Sequence, residues 1–387
     1  MTELAYKEPP ITFGDPSVLG RWWRTVDKVT LGALVVLLMT GMLIGFAASP
    51  PLAAKNNLAD FHYVYRHAVF ACMAVAGMLF LSVWSPLQVR RNGVRLFVVA
   101  LVALLLLPVF GTDFGKGAIR WYSLGFTTVQ PVEFLKPVFV VTAAWLMAAA
   151  AQPNGPPGVT MSLILAAMIA VVLALQPDFG QAMLIIAAWG VMFFVWGAPM
   201  WLLIGIGGAV VGGMYFAYQN SEHVANRINA YWTPELDPTS QLGYATNAIL
   251  NGGLFGVGAG EGTVKWSLPD AHTDFVIAVA AEEYGLILCL FIIGLFLFIT
   301  LRAYRLLMRE RDMFARLAGT GLATLFGMQA LINIGVTIRL LPAKGMTLPF
   351  ISYGGSSMIA VALGMGMLLA LTRKRPQDHI TDMLGER

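Results

Sequence analysis

Runs of about 18 or more apolar residues recur along the whole chain, from VTLGALVVLLMTGMLIGFAA at 29–48 to ISYGGSSMIAVALGMGMLLAL at 351–371. Only a structure that satisfies its own backbone hydrogen bonds can cross hydrocarbon, and for runs of this length that structure is a helix. Spans are expected near 28–48, 67–85, 95–111, 132–151, 159–176, 181–197, 200–218, 275–301, 315–338 and 350–372. The predicted fold is therefore an all-α polytopic membrane protein with about ten transmembrane helices. Residues 1–27 form an N-terminal tail, 28–372 the membrane domain and 373–387 a C-terminal tail. A long loop, 219–274, separates spans seven and eight. With 58% hydrophobic and 12% charged residues, an ordinary soluble domain is excluded.

Basic residues set the direction. Most of the 25 lysines and arginines lie in the N-terminal tail, around Arg90, Arg91 and Arg95, between Arg302 and Arg316, and in the terminal RKRP. These segments alternate with the other loops, so they are expected in the cytoplasm together with both termini. The net charge of +4 thus reflects span flanks and does not point to nucleic acid. RWWR at 21–24 reads as an interfacial anchor. Cys72 and Cys289 sit inside apolar runs and are expected to pack there.

The exception to charge avoidance is LPDAHTDFVIAVAAEEYG, 268–285, where Asp270, His272, Asp274, Glu282 and Glu283 crowd the entrance of span eight. Asp274 is either a helix cap or a reactive carboxylate. Glu282 and Glu283 lie about 12 Å deeper, where a carboxylate must pair, protonate or meet water. A partner Lys or Arg from another span is expected.

Three more constellations share that face. GKGAIRWYSLGFTTVQPVEFLKP brings Arg120, then Glu133 and Lys136 three apart on one helix face. Either this pair snorkels at a helix end, or Arg120 and Lys136 hold an anion in a polar cavity. QPDFGQ at 176–181 is a turn in which Asp178 suits a cap. INIGVTIRLLPAKGMTLPFISYGGSSM brings Lys344 and a small-residue entry to span ten that includes Ser356. The glycines between 252 and 262 lack a Walker lysine and any strand–turn–helix unit, so a close-packed re-entrant loop is expected instead of a nucleotide site. No histidine spacing marks a zinc site.

Together GAIRWYSLG with QPVEFLK, QPDFG, LPDAHTDFVIAVAAEEYG and LPAKGMTLPFISYGGSS resemble, in order, the SEDS family of bacterial cell-wall proteins, and its cell-division branch more than its elongation branch. The resemblance implies a ten-span glycosyltransferase of the cytoplasmic (inner) membrane. It would polymerise lipid II on the periplasmic face during septal peptidoglycan synthesis. It further implies Asp274 as the essential acidic residue, Arg120 and Lys136 as conserved cations with Glu133 beside them, and a role for 352–357, which includes Ser356. Lys344 and His272 join these as candidates near substrate, while the residues themselves suggest structural or pairing roles for Asp178, Glu282 and Glu283. The implied partners are a class B penicillin-binding transpeptidase and other division proteins. A divalent cation, Mg or Mn, would be one way to neutralise the leaving diphosphate, though no residue pattern marks its site. Gln181, Arg339, GYATNAI and RINAYW depart from the family pattern. A lipid II flippase and a non-catalytic scaffold are the competing readings.

Overall fold

The computed structural model describes residues 16–374, apart from 116–118, 126, 221–224, 226–228, 230, 232–237, 239 and 343–344. The chain begins with a short helix, α1 (Pro16–Thr25), followed by α2 (Lys28–Lys55), α3 (His62–Ser82), α4 (Pro86–Leu105) and the single-turn α5 (Leu107–Phe110). A two-stranded hairpin, β1 (Tyr122–Ser123) with β2 (Thr128–Val129), leads into α6 (Pro131–Ala150). Next come α7 (Gly158–Leu175), α8 (Phe179–Trp196), α9 (Met200–Asn220) and α10 (Gln241–Gly252). The chain closes with α11 (Val276–Leu307), α12 (Met313–Thr337) and α13 (Gly355–Leu371).

Among the described residues, eight helices are long and apolar enough to span a bilayer: α2, α3, α6, α7, α8, α9, α11 and α12. The other two expected spans coincide with α4 and α13. α4 carries Arg90, Arg91 and Arg95 in its first half, and α13 is apolar but only 17 residues long. Burial follows an inside-out logic: polar Gln329 and Asn333 are buried, while Val36, Met39, Leu43 and Phe46 of α2 face outward. Such a surface suits lipid and not water. The core is built around α6 and α12, which are largely buried, with α3 and α13 in extensive contact on one side. α9 contributes no buried residue over its apolar stretch.

Several boundaries differ from expectation for local reasons. Ser85 and Gln88 form a reciprocal capping box that starts α4 at Pro86, so the three arginines expected in a loop lie on the helix itself. α13 starts only at Gly355, because 350–354 form a turn with Phe350 at φ 63°. The long loop is not featureless, since α10 and a 3₁₀ turn at Val264–Trp266 fall within it. Cys289 is buried as expected, whereas Cys72 faces outward.

The arginine-rich end of the bundle is tied together by side chains. Arg302 donates to both carboxylate oxygens of Asp27, at 2.7 and 2.6 Å. Arg373 reaches the Val83 carbonyl and the Thr25 hydroxyl, each at 3.0 Å. Trp22 of RWWR donates to Ser82 at 2.9 Å while Trp23 stays half exposed, as an interfacial anchor requires.

Candidate functional site

At the other end, the segments singled out in the sequence converge. Glu133 and Lys136, on the first turns of α6, form an ion pair of 2.9 Å with both side chains almost fully buried. Burial at this level excludes the snorkelling arrangement. The pair is the centre of a network: Gln181 of α8 donates to Glu133 at 2.7 Å, Ser357 of α13 donates to it at 3.2 Å, and Lys136 donates to Gln329 of α12 at 3.0 Å. Gln329 donates in turn to the Thr347 carbonyl at 3.0 Å, and the Thr347 hydroxyl meets Ser357 at 2.7 Å. Four helices and the loop before α13 are thereby tied together by buried polar groups, although Oε1 of Gln181 has no partner among the described residues; in a low-dielectric interior such bonds hold geometry firmly.

Asp274 lies in a tight turn that precedes α11. Asp270, at φ 54°, accepts from the amides of Thr273 and Asp274, each at 3.1 Å. The helix N-cap position is Phe275 and has no side-chain cap bond, so Asp274 does not serve as the cap. Its main-chain carbonyl accepts from Asn333 of α12 at 2.8 Å. Its carboxylate lies over Gly345: a Cβ at that position would sit 3.0 Å from Oδ2. A glycine next to Lys344 thus leaves room for the carboxylate. Lys344 itself lies outside the described residues.

The SYGGSS turn presses against the same segment. Ser352 donates to the Thr273 carbonyl and accepts from the Leu348 amide, and the Tyr353 amide donates to the His272 carbonyl at 2.9 Å. His272 packs beside the rings of Tyr63 and Tyr353, with centroids 6.2 and 5.8 Å away, and those two rings meet edge-on at 5.4 Å. Ser356 is buried but makes no side-chain hydrogen bond among the described residues, and its neighbour Ser357 holds the network position instead.

Arg120, on the strand side of the hairpin loop, donates to the carbonyls of Gln176 and Pro177 at 2.8 and 2.9 Å. It therefore docks its loop onto the QPDFG turn. Asp178 stands at the N-cap position of α8 without a side-chain cap bond and accepts from Gln130 at 3.4 Å. Burial raises its pKa above the usual carboxylate value, against the opposing pull of Arg120. A raised folded-state pKa means stability is lost as pH rises from the unfolded-state value toward the folded one. Asp178→Asn is accordingly expected to raise the melting temperature at pH 7, with the gain shrinking as pH falls toward 4, in a thermal-unfolding series on detergent-solubilised protein.

Glu282 and Glu283 do another job. Glu282 accepts from the amides of Thr263 and Val264, each at 2.9 Å, and Glu283 accepts from the Gly260 amide at 2.8 Å and pairs with Lys265. The expected basic partner exists, but it comes from the re-entrant loop and not from another span. α11 is kinked at Gly285, whose φ is 78°, and the freed main chain there takes bonds from the loop: Val257 donates to Glu282 and Leu286 to Gly253. Gly256, at φ 81°, lies where a Cβ would be 2.1 Å from the Glu283 carbonyl. The glycines thus serve close packing, as the sequence suggested.

Gln329, Asn333, Thr347, Ser357 and Lys265 were not among the expected site residues. The signal for the first two was present: Gln329 and Asn333 are four apart in an otherwise apolar span, so they share one helix face. Among the described residues, no group of three or more His, Cys, Asp or Glu side chains is placed to hold a metal ion.

The comparisons agree with this architecture. The FTSW_RODA_SPOVE family model, described as cell cycle protein, matches residues 28–377. A "Probable peptidoglycan glycosyltransferase FtsW" of Caulobacter vibrioides is 43% identical, across 94% of this chain and 93% of that protein. A protein of the same description from Trichlorobacter lovleyi is 33% identical, across 89% and 93%. Among solved structures, a peptidoglycan synthase complex described as coordinating polymerization and crosslinking contains a chain that matches with a TM-score of 0.76 and 27% identity, covering 91% of this chain and 99% of that one. The crystal structure of Thermus thermophilus RodA shares the fold, with a TM-score of 0.67, 24% identity and coverage of 90% and 97%. With its helices, its converging motifs and a match along almost its whole length, the chain is a multi-pass membrane protein of the FtsW/RodA/SpoVE family of cell cycle proteins.

Proposed function

We propose that this protein is a peptidoglycan glycosyltransferase that polymerises lipid II in cell division, with Asp274 as the general base. The observation that carries the reading is the placement of Asp274: one carboxylate above Gly345, at the end of the bundle where Arg120 and the 268–275 and 345–354 segments gather around a buried polar network. The relatives' descriptions support the same activity.

Joining two lipid-linked disaccharides needs the 4-hydroxyl of one sugar to attack the anomeric carbon of the other. The proton passes to the Asp274 carboxylate, the new C–O bond forms, and the bond to the lipid diphosphate breaks with inversion. A carboxylate fixed at the entrance of a span suits that role. The departing diphosphate carries negative charge, and Arg120 and Lys344 are the cations proposed to meet it. Lys136 is already matched by Glu133, so its role is to hold the network in register. His272 and Ser356 are retained as residues of the substrate region. A divalent cation has no ready protein cage among the described residues, and no step depends on one.

The Asp274 end is proposed to face the periplasm, with both termini in the cytoplasm and the enzyme at the division septum. A class B transpeptidase is its proposed partner, in keeping with the solved complex that couples polymerisation to crosslinking. Purified protein given lipid II, alone and with that transpeptidase, should yield glycan polymer. Transbilayer movement of lipid II without polymer would instead favour transport, and neither result would favour a scaffold.

A further inference from the structure

Asn333 is 2% exposed on α12, and its side-chain amide faces two main-chain carbonyls at once, those of Asp274, at 2.8 Å, and Met346. The first carries the carboxylate proposed as the base. The second is adjacent to Gly345, over which that carboxylate lies. A single NH₂ group therefore spans the gap between the two segments that define the position of the Asp274 side chain. Its orientation is forced, because rotating the amide would aim its oxygen at two carbonyl oxygens. The same orientation leaves Oδ1 buried with no hydrogen-bond partner among the described residues. An orphaned buried acceptor is costly, and the chain carries this one in return for a donor to both carbonyls, which an apolar side chain of similar size would not supply.

We infer that Asn333 is a positioning residue for the reaction: it sets the distance between Asp274 and the 345–347 segment, and does not itself touch substrate. This rests on the reading of Asp274 as the general base. The two elements also meet where Ser352 donates to the Thr273 carbonyl and the Tyr353 amide to the His272 carbonyl, but those bonds fix the turn at 352–353, whereas the Asn333 amide joins the Asp274 carbonyl directly to the residue beside Gly345. Misplacing a catalytic group by about 1 Å can cost roughly 10²-fold in rate.

The test is steady-state polymerisation of lipid II by full-length Asn333→Leu and Asn333→Ala in detergent, with thermal unfolding measured in parallel. Thr324→Val on the same helix, which loses its buried bonds to Tyr304 and Thr320, is the control for stability. The expected result is a fall in kcat of about 10²-fold with KM within about twofold, while Thr324→Val keeps wild-type kcat. Asn333→Leu removes the orphaned acceptor together with the donor, so its melting temperature should change less than that of Asn333→Ala. Wild-type kcat in a folded Asn333→Leu, or a loss confined to KM, would overturn the inference. Failure of both Asn333 variants to fold would also overturn it, by assigning the amide to stability. Full activity of Asp274→Asn would instead remove the reading beneath it, and the two failures are separable because each is read on a different variant.

Discussion

Asp274→Asn should lower lipid II polymerisation by about 10²–10⁴-fold, the contribution of a positioned general base, while the purified protein stays monodisperse and melts close to wild type. The expectation of intact folding comes from how this segment is held. The turn closes through main-chain bonds to the Asp270 carbonyl, and α12 grips the Asp274 carbonyl instead of its carboxylate. Asparagine has nearly the same shape, so it removes basicity and leaves those bonds in place. The measurement is polymer formed per folded molecule, with binding of lipid II assayed separately. If the variant polymerises at the wild-type rate, another group takes the proton. If it binds lipid II normally and makes no polymer, the carboxylate is placed at the chemical step.

The largest effect on stability is expected at the re-entrant loop. Lys265→Met leaves Glu283, whose side chain is fully buried, without its cation, and breaking a buried pair from one side typically costs about 3–5 kcal/mol. The double variant Lys265→Met with Glu283→Gln should recover most of that loss, since a neutral amide can still accept from the Gly260 amide. Thermal unfolding in detergent would read both. A single variant as stable as wild type would mean that Glu283 has taken up a proton or found water, and the pair would then be dispensable. The consequence reaches beyond the loop. Glu282 and Glu283 anchor it at the kink of α11, two turns below the Asp274 segment, so loosening it should also broaden the melting transition.

Much of the candidate site was legible from local pattern. Glu133 and Lys136 were readable as neighbours because a helix brings residues three apart together. Asp274 was conspicuous because charge is so rare in the chain. That Ser357 would join the Glu133 network was not legible, since it and Ser356 belong to the same small-residue run and only the rotation of α13 decides which one meets Glu133. Gln181, a departure from the family pattern, turned out to donate to Glu133. The source of the basic partner for Glu283 was also hidden, because a loop can double back into a bundle without leaving a periodic signature.

Taken alone, the order of apolar runs and their basic flanks determined that the chain is a helical membrane protein, and four motifs determined its family. Both are properties of contiguous residues: the length of a run and the identity of a short string need no knowledge of neighbours in space. Which helix faces which was decided only in the tertiary structure. Helices that are apolar around most of their circumference carry little record of the side they bury, because lipid and protein interior are similar solvents for them. The bonds that assemble the site accordingly join residues 48, 59, 193 and 224 positions apart, and their partners emerged only when the helices packed.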